Sequence, residues 1–288
     1  MSFTAHRRAF MRNSPIVSSA VLALAALVLA GISFGPGTVR AAAGDWKLIG
    51  TSDESSLVYN QGLASDRGGN LRGRGYATIR PEAAMDGWTH IGDGDLSRGR
   101  MYDAYESLDS GRKMFTITDP DGRFHRYYHR LIPGEKANNS FVTVDPSGKF
   151  LVSGEWATQQ RLLVFADPVG RRDGAQLPLA GVIALDKPMT DVQSCDFMTA
   201  TELVCASDKP DKAVYTISLA RALGPSPSTT GTVRREFAVP RLSACRGSYE
   251  IEGIDYDVAR HVLSVAMIDP SPCLLNTKVF RYRHLVRR

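Results

Sequence analysis

The 288-residue chain lacks the sequence patterns of several common sites. No Gly-x-Ser-x-Gly nucleophile elbow occurs in residues 44–288, and the whole chain has no His-Glu-x-x-His zinc motif and no phosphate-binding loop. Helical periodicity is nearly absent as well, with at most one turn at residues 219–223. These absences argue against a serine hydrolase of the α/β type, a zinc protease, a P-loop nucleotidase and an α-helical fold.

Acidic residues are missing from the first 43 positions, which have the pattern of an export leader. Arg7 and Arg8 precede an apolar run at residues 16–34, and small residues at 41–43 offer a cleavage point. The Arg-Arg pair resembles the twin-arginine export motif. A membrane anchor is the alternative, since a span needs about 20 residues, but the Ser, Gly and Pro content favours cleavage. The sequence predicts a twin-arginine signal peptide at 1–43 and one domain at 44–288.

The mature chain has no excess of one charge. The full sequence has 35 basic and 30 acidic side chains; four of the basic ones (Arg7, Arg8, Arg12 and Arg40) lie in the leader, which leaves 31 basic side chains and a net charge of +1. This balance gives no reason to expect nucleic acid or a membrane surface as a partner. We therefore expect a secreted monomer whose partner is a small molecule, a glycan or a protein outside the cell.

Cysteine is scarce, and its four copies lie in the mature part: Cys195, Cys205, Cys245 and Cys273. There is no Cys-x-x-Cys pair and no His at ligand spacing from them, which argues against zinc. An even number of cysteines outside the reducing cytosol indicates disulfides. Three connectivities are open. Pairing Cys195 with Cys205 and Cys245 with Cys273 is favoured, because each pair then brackets one local strand pair.

Short alternating apolar stretches fill the mature chain, with turn signals between them. A short strand, a turn and a second strand recur five times; the first strands are residues 61–66, 90–95, 140–145, 193–198 and 252–257. Their starts are 29, 50, 53 and 59 residues apart, and a propeller blade needs roughly 40–50 residues. The sequence predicts an all-β, five-bladed β-propeller, with a six-bladed propeller or a β-sandwich as alternatives. The short first unit is explained if residues 45–50 pair with 279–282 in the last blade and close the ring.

Several segments resemble known propellers. Asp145-Pro-Ser-Gly-Lys-Phe-Leu-Val is similar to the strand-turn-strand signature of lactonase-like propellers, and Glu252-Gly-Ile-Asp-Tyr-Asp resembles an inner-strand element of strictosidine-synthase-like and phytase-like propellers. With the leader, His90-Ile-Gly-Asp, Ser153-Gly-Glu-Trp156 and the cysteines, the mature chain resembles a group of secreted bacterial β-propeller proteins of unassigned function. The resemblance implies the fold and the export. It carries over no catalytic residue, because no enzyme family's full ligand set is matched.

Equivalent positions of the five units are polar. The first strand of each blade lines the central channel of a propeller, so equivalent positions should form rings around it. The first position is polar throughout: Gln61, His90, Ser140, Gln193 and Glu252. The fourth position is occupied by Ala64, Asp93, Thr143, Asp196 and Asp255. A structural role is the alternative, because buried polar side chains also satisfy one another or ordered water.

These rings support two functional hypotheses. The favoured one is a non-enzymatic extracellular module that binds its ligand or partner at the channel mouth, since no catalytic constellation is evident. The alternative is a metal-assisted hydrolase or lyase of the lactonase-like kind. Its divalent cation, such as calcium, would be bound by Asp93, Asp196 and Asp255, which would otherwise repel one another. His90 would act there as a base near neutral pH, with Glu252 close by. A channel plugged by side chains would instead favour a scaffold without a small ligand.

Aromatic and histidine residues give weaker signals. Trp88, Tyr105 and Trp156 offer a sugar platform, but packing between blades is the commoner role for such residues. His125 and His129 fall on one face of a predicted strand and are expected at the surface.

Overall fold

The computed structural model describes residues 45–66, 69–107, 110–270, 273 and 275–285, so the predicted leader lies outside the described residues. The described chain is nearly all β. In chain order the strands are β1 (Trp46–Ser55), β2 (Gly62–Ser65), β3 (Leu71–Arg74), β4 (His90–Ser97), β5 (Arg100–Ser107), β6 (Arg112–Thr118), β7 (Phe124–Arg130), β8 (Thr143–Val144), β9 (Phe150–Ser153), β10 (Thr158–Ala166), β11 (Ala175–Gln176), β12 (Leu179–Thr199), β13 (Glu202–Lys209), β14 (Ala213–Leu219), β15 (Thr229–Ala238), β16 (Glu250–Asp257), β17 (Val262–Ile268) and β18 (Asn276–His284).

Two short helices and a 3-10 turn lie between these strands: α1 (Ser56–Tyr59), α2 (Pro81–Met85) and the turn Tyr76–Thr78. The helical turn expected at residues 219–223 is not formed, because Leu219 ends β14. No helix among the described residues is long and apolar enough to cross a membrane.

All five predicted strand-turn-strand units form antiparallel pairs: β2–β3, β4–β5, β8–β9, β12–β13 and β16–β17. Aspartates make three of the turns. Asp66 accepts a hydrogen bond from the backbone N–H of Asn70, Asp145 from that of Lys149, and Asp257 from that of Arg260. Such Asx bonds replace a backbone turn bond, which explains why an aspartate recurs at the end of the first strand.

The two ends of the described chain meet in one four-stranded sheet, with the order β1-β18-β17-β16. β1 is antiparallel to β18, and its register pairs Leu48 with Tyr282 and Thr51 with Phe280. The pairing predicted for residues 45–50 with 279–282 is confirmed. The outer strand of this sheet therefore comes from the start of the domain, and its other three strands come from the end.

The remaining strands form a five-stranded sheet (β11-β7-β6-β5-β4), a seven-stranded sheet (β13-β14-β15-β12-β10-β9-β8) and the β2–β3 pair. The seven-stranded sheet joins two units through β12, a single 21-residue strand. Its first part pairs with β10 and its last part with β13. One strand is thus the outer edge of one unit and the inner edge of the next.

The innermost strands of these units contact one another in a closed circuit. β2 contacts β4, β4 contacts β8, β8 contacts β12, β12 contacts β16, and β16 returns to β2. Sheets arranged around a closed ring of inner strands are the architecture of a β-propeller. The apolar core lies between adjacent sheets: one cluster combines Trp46 and Phe280 with Val204, Phe237 and Ile254.

Both predicted disulfides are confirmed. Cys195 and Cys205 lie directly opposite each other on β12 and β13, with their Cα atoms 4.0 Å apart. Cys245 and Cys273 have Cα atoms 6.2 Å apart. Each bond joins residues close in the chain, so neither bond is what closes the ring.

Trp46 provides a test of the closure by β1. The side chain is 1% exposed and packs on Phe237, Tyr256 and His284. Trp46→Ala should lower the free energy of unfolding by about 3–5 kcal/mol, the range for deleting a large buried aromatic side chain. Ile49→Ala, on the same strand but 43% exposed, is the control and should change it by less than about 1 kcal/mol. Urea unfolding measures both; equal effects would contradict the closure.

Candidate functional site

All five polar first positions line one cavity of about 610 Å³ at the N-terminal ends of the inner strands, here called the mouth cavity. Gln61, Ser140, Gln193 and Glu252 are each at most 8% exposed. The rest of the lining comes from loops and neighbouring strands: Tyr76, Gly92, Glu106, Lys136, Ala137, Asn138, Trp156 and Glu250. Repeat positions far apart in the chain therefore converge on one space.

His90 is displaced from the ring position expected for it. β4 is irregular between Ile91 and Gly94, and the backbone N–H of Asp93 donates to Ser140 O at 2.7 Å. A side chain at position 92 would overlap the backbone of Ser140, so only glycine fits there. Gly92 takes the place beside Ser140, and His90, with its side chain 45% exposed, lies farther out and 3.4 Å from Glu106.

Asp93 closes the middle of the ring. It is 2% exposed, and its Oδ1 accepts hydrogen bonds from the N–H groups of Leu63 at 2.6 Å and Gly94 at 2.9 Å. Its Oδ2 accepts from the Ser194 hydroxyl and from the N–H of Ile254 at 3.2 Å. Burial raises the pKa of Asp93 well above its usual value, and these bonds oppose the shift. This carboxyl therefore accepts hydrogen bonds from three inner-strand units besides its own.

The acid trio of the channel is Asp95, Asp196 and Asp255, not the predicted Asp93, Asp196 and Asp255. The Thr143 hydroxyl lies between two carboxyl groups, 3.3 Å from Asp95 Oδ2 and 3.1 Å from Asp196 Oδ1. The N–H groups of Val144, Tyr256 and Ser65 donate to Asp95, Asp196 and Asp255 respectively, at 2.6–2.7 Å. The two-residue displacement of β4 causes the exchange, because it moves Asp93 one level along the channel and brings Asp95 level with Thr143.

Burial and mutual repulsion change the acidity of this trio. They raise the pKa of Asp95 to about 6 and those of Asp196 and Asp255 to about 7. The charge of Asp255 acts on Asp95, that of Asp95 on Asp196, and that of Asp196 on Asp255. Among the described residues, no group of three or more His, Cys, Asp or Glu side chains has the geometry to hold a metal ion.

The trio faces a second cavity of about 430 Å³, at the opposite ends of the inner strands. The turn aspartates Asp66, Asp145 and Asp257 line it as well. Their hydrogen bonds to hairpin N–H groups, described above, account for their positions. Carboxyl groups dominate this end. They accept hydrogen bonds from backbone N–H groups, and Asp257 also forms an ion pair with Arg260 at 2.7 Å.

The floor of the mouth cavity contains a connected group of polar side chains. The Gln193 amide donates to Asp208 at 3.1 Å. Asp208 also accepts from the N–H of Ile251 at 2.9 Å and binds Lys212 Nζ at 2.8 Å. Glu252 is 8% exposed; burial, then the charges of Glu250 and Asp208, raise its pKa well above the usual value.

A buried ion cluster holds the loop at one side of the cavity. Glu135 lies 3.0 Å from Lys113 Nζ and 2.8 Å from His129 Nε2, and Ile132 N–H donates to it at 3.1 Å. Burial of the Glu135 carboxyl raises its pKa, but these contacts outweigh burial and lower the pKa of Glu135 to about 2. The next residue is Lys136, which lines the cavity. The sequence predicts His129 at the surface, but it is 2% exposed, because its hydrogen-bond partner Glu135 comes from a loop outside its strand.

Two exposed aromatic rings face the same cavity. Tyr76 is 56% exposed and Trp156 is 37% exposed. Trp156 precedes Ala157, whose φ of 59° is a left-handed conformation that costs a non-glycine residue about 1–2 kcal/mol. Trp88 and Tyr105 are buried, at 2% and 0%, as expected for packing residues. Trp156 differs from them because its turn places it at the cavity.

No protein-family profile and no curated protein matches the chain. Two solved structures show a weak similarity to it. The β-propeller domain of Cps50 (Swd1) from Myceliophteria thermophila is 13% identical, with 72% of this chain and 57% of that chain covered and a TM-score of 0.35. An auxiliary nutrient binding protein from Bacteroides thetaiotaomicron is 11% identical, with 78% and 59% covered and a TM-score of 0.39. The chain thus spans under two thirds of either structure, and the propeller architecture follows from its own strand contacts.

The acid trio makes stability depend on pH. Because the folded-state pKa values are raised above the unfolded value of about 3.9, the folded protein binds more protons than the unfolded chain between about pH 4 and pH 7. The free energy of unfolding should therefore fall as pH rises through this window. Asp196→Asn removes one of the three carboxyl groups that take up a proton on folding. The slope of the free energy of unfolding against pH should therefore become shallower by on the order of 1 kcal/mol per pH unit.

Urea unfolding across this pH range measures the slope. Asp121→Asn, at a turn position whose side chain is 56% exposed, is the matched control and should keep the wild-type slope. An Asp196→Asn profile parallel to that of wild type would show that the trio does not retain its protons in the folded state.

Proposed function

We propose that the protein is an exported, five-bladed β-propeller that binds a small polar ligand in the mouth cavity. The observation that carries the proposal is the convergence of Gln61, Ser140, Gln193 and Glu252 on one cavity of about 610 Å³. Successive residues of this group lie 53–79 positions apart in the chain, so their meeting is a property of the fold. A concave site with several convergent polar groups is the default location of a ligand.

The blade count is supported by the circuit of inner strands β2, β4, β8, β12 and β16. Each begins one antiparallel unit, and the shared strand β12 is the outer strand of one unit and the inner strand of another. The β2–β3 unit is the short one. Helix α1 precedes β2, and the 3-10 turn and α2 follow β3. Five units closed by β1 on β18 are the simplest account of this strand order.

Export is supported by the twin-arginine pattern of residues 1–43 and by the two disulfides, which persist in oxidising compartments. The secreted location and the monomeric state are inferences from the sequence. If the protein is secreted, as we propose, its ligand is a molecule outside the cell.

The cavity lies above the level at which Asp93 closes the ring. A plugged channel was the feature expected of a scaffold without a small ligand, and Asp93 does occupy the middle. The mouth cavity nevertheless remains, lined by amide, hydroxyl and carboxyl groups. The metal-assisted hydrolase is the alternative from the sequence. Asp93, one of the three ligands it requires, accepts hydrogen bonds from Leu63, Ser194 and Ile254, which supports the binding module over the hydrolase.

A cavity-filling variant tests the proposal. Ala137 lines the mouth cavity, and Ala137→Trp should fill part of it. The wild-type protein is screened by thermal shift against neutral sugars, polyols, amino acids and amines. We expect at least one compound to raise Tm, because a ligand of the folded state stabilises it by mass action, and we expect Ala137→Trp to abolish that increase.

Val258→Trp is the matched control, since Val258 is 54% exposed and lines the second cavity. It should keep the ligand-induced increase in Tm. If no compound acts, or if Ala137→Trp keeps every response while Val258→Trp loses it, the mouth cavity is not the binding site.

A further inference from the structure

Glu252 brings to the cavity a carboxyl that has no ion-pair partner among the described residues. None of the ion pairs between described residues involves Glu252, and Lys212, the cation whose charge opposes its pKa shift, lies on Asp208 at 2.8 Å instead. Glu252 is 8% exposed and lines both the mouth cavity and an adjoining cavity of about 400 Å³. The charge of Glu250, after burial, raises the pKa of Glu252 well above its usual value. Burying a carboxyl in this way is costly unless a cation compensates it.

The lining of the two cavities carries more acid than base. Glu106 and Glu250 face the mouth cavity, and Asp269 faces the adjoining one together with Glu250. Lys136 and His90 are the basic side chains at the mouth. Lys136 Nζ donates to Thr158 O at 3.0 Å, and His90 lies 3.4 Å from Glu106. An anionic ligand would meet the carboxyl groups of Glu250 and Glu252 and two basic groups that already have partners, so the charge of the lining selects against it.

Aromatic surface is the second and independent feature. The rings of Tyr76 and Trp156 line the mouth cavity while remaining 56% and 37% exposed, although such rings are usually buried in packing. An ammonium group over the face of a Trp or Tyr ring is stabilised by about 0.5–2 kcal/mol. Aromatic faces beside carboxyl groups are the combination that binds quaternary and other ammonium ligands.

Resting on the proposed function, we infer that the ligand of the mouth cavity carries an ammonium group, whose positive charge is bound by Glu250 and Glu252 and by the faces of Tyr76 and Trp156. The amides of Gln61 and Gln193 and the hydroxyl of Ser140 then serve the rest of the molecule. The shared chemistry is a compact organic cation; primary and quaternary amines both have it. The charge of the ligand, rather than its hydroxyl groups, determines its affinity.

Choline and its neutral isostere 3,3-dimethylbutan-1-ol test this inference, since they differ in charge and hardly in shape. Of the three tryptophans, Trp46 and Trp88 are buried, so the indole N–H signal of Trp156, assigned with Trp156→Phe, reports the cavity by NMR. Choline should bind roughly fivefold or more tightly than the isostere. Glu252→Gln and Glu250→Gln should weaken choline by a similar factor and leave the isostere unchanged.

Asp121→Asn, on an exposed turn, is the carboxyl control and should leave choline binding unchanged. Equal titrations with choline and the isostere, or no response to choline, would overturn the inference. So would unchanged choline affinity in both glutamine variants. The proposed function is decided separately by Ala137→Trp, because that screen includes neutral sugars and polyols. If neutral compounds raise Tm in the wild-type protein and not in Ala137→Trp, the mouth cavity is a binding site but its ligand needs no ammonium group.

Discussion

The carboxyl groups of the inner strands hold the ring together. Inner strands of neighbouring units contribute N–H groups that face the channel, and each buried N–H needs an acceptor. Asp93 accepts from Leu63 on β2 and from Ile254 on β16. One level along, Asp196 and Asp255 accept from Tyr256 and Ser65. Side-chain carboxyls thus form the hydrogen bonds between units, whereas backbone hydrogen bonds join the strands within each unit.

The polar groups of the channel differ from one end to the other in whether they have partners within the protein. At the levels of Asp93 and of the acid trio, most donors and acceptors are matched within the protein, so the positions of these polar residues are explained without a ligand. Toward the N-terminal ends of the strands the ring widens into the mouth cavity, where Glu252 has no basic partner among the described residues. The loop that carries Lys136 is held at that end by the buried Glu135, Lys113 and His129. The hydrogen-bonded lower channel and the anchored loop thus border the cavity on two sides.

The elements that depend on local pattern could be predicted from the sequence. Strand-turn-strand units follow from alternation and turn residues, and the pairing of β1 with β18 follows from the short first unit. The disulfide Cys195–Cys205 follows from one hairpin. The first-position residues also converge as their repeat positions suggest, except where β4 differs.

The structure differs from the sequence prediction where a long-range contact overrides the local pattern. Counting residues from unit to unit aligns His90 and Asp93 with the rings, but the absent side chain of Gly92 lets β4 approach Ser140 closely and displaces the strand by two residues. Alternation could not show that His129 meets Glu135 from a loop, nor that the turn at Ala157 exposes Trp156. The paired glycines Gly92 and Gly94 around Asp93 were the sequence signal of the displacement, since glycine inside a strand often marks an irregularity or a close approach.

Hydrogen exchange at the amides of Leu63 and Ile254 tests the role of Asp93 most directly. Both N–H groups donate to this one carboxyl, so in the wild-type protein they should exchange as slowly as the core strands. In Asp93→Ala both should exchange at least roughly tenfold faster relative to the N–H of Leu203, since removing a buried acceptor costs about 1–3 kcal/mol; Asp93→Asn should show a smaller effect. Unchanged protection of both amides in Asp93→Ala would contradict the account, because the ring would then be closed without the carboxyl on which it is said to depend.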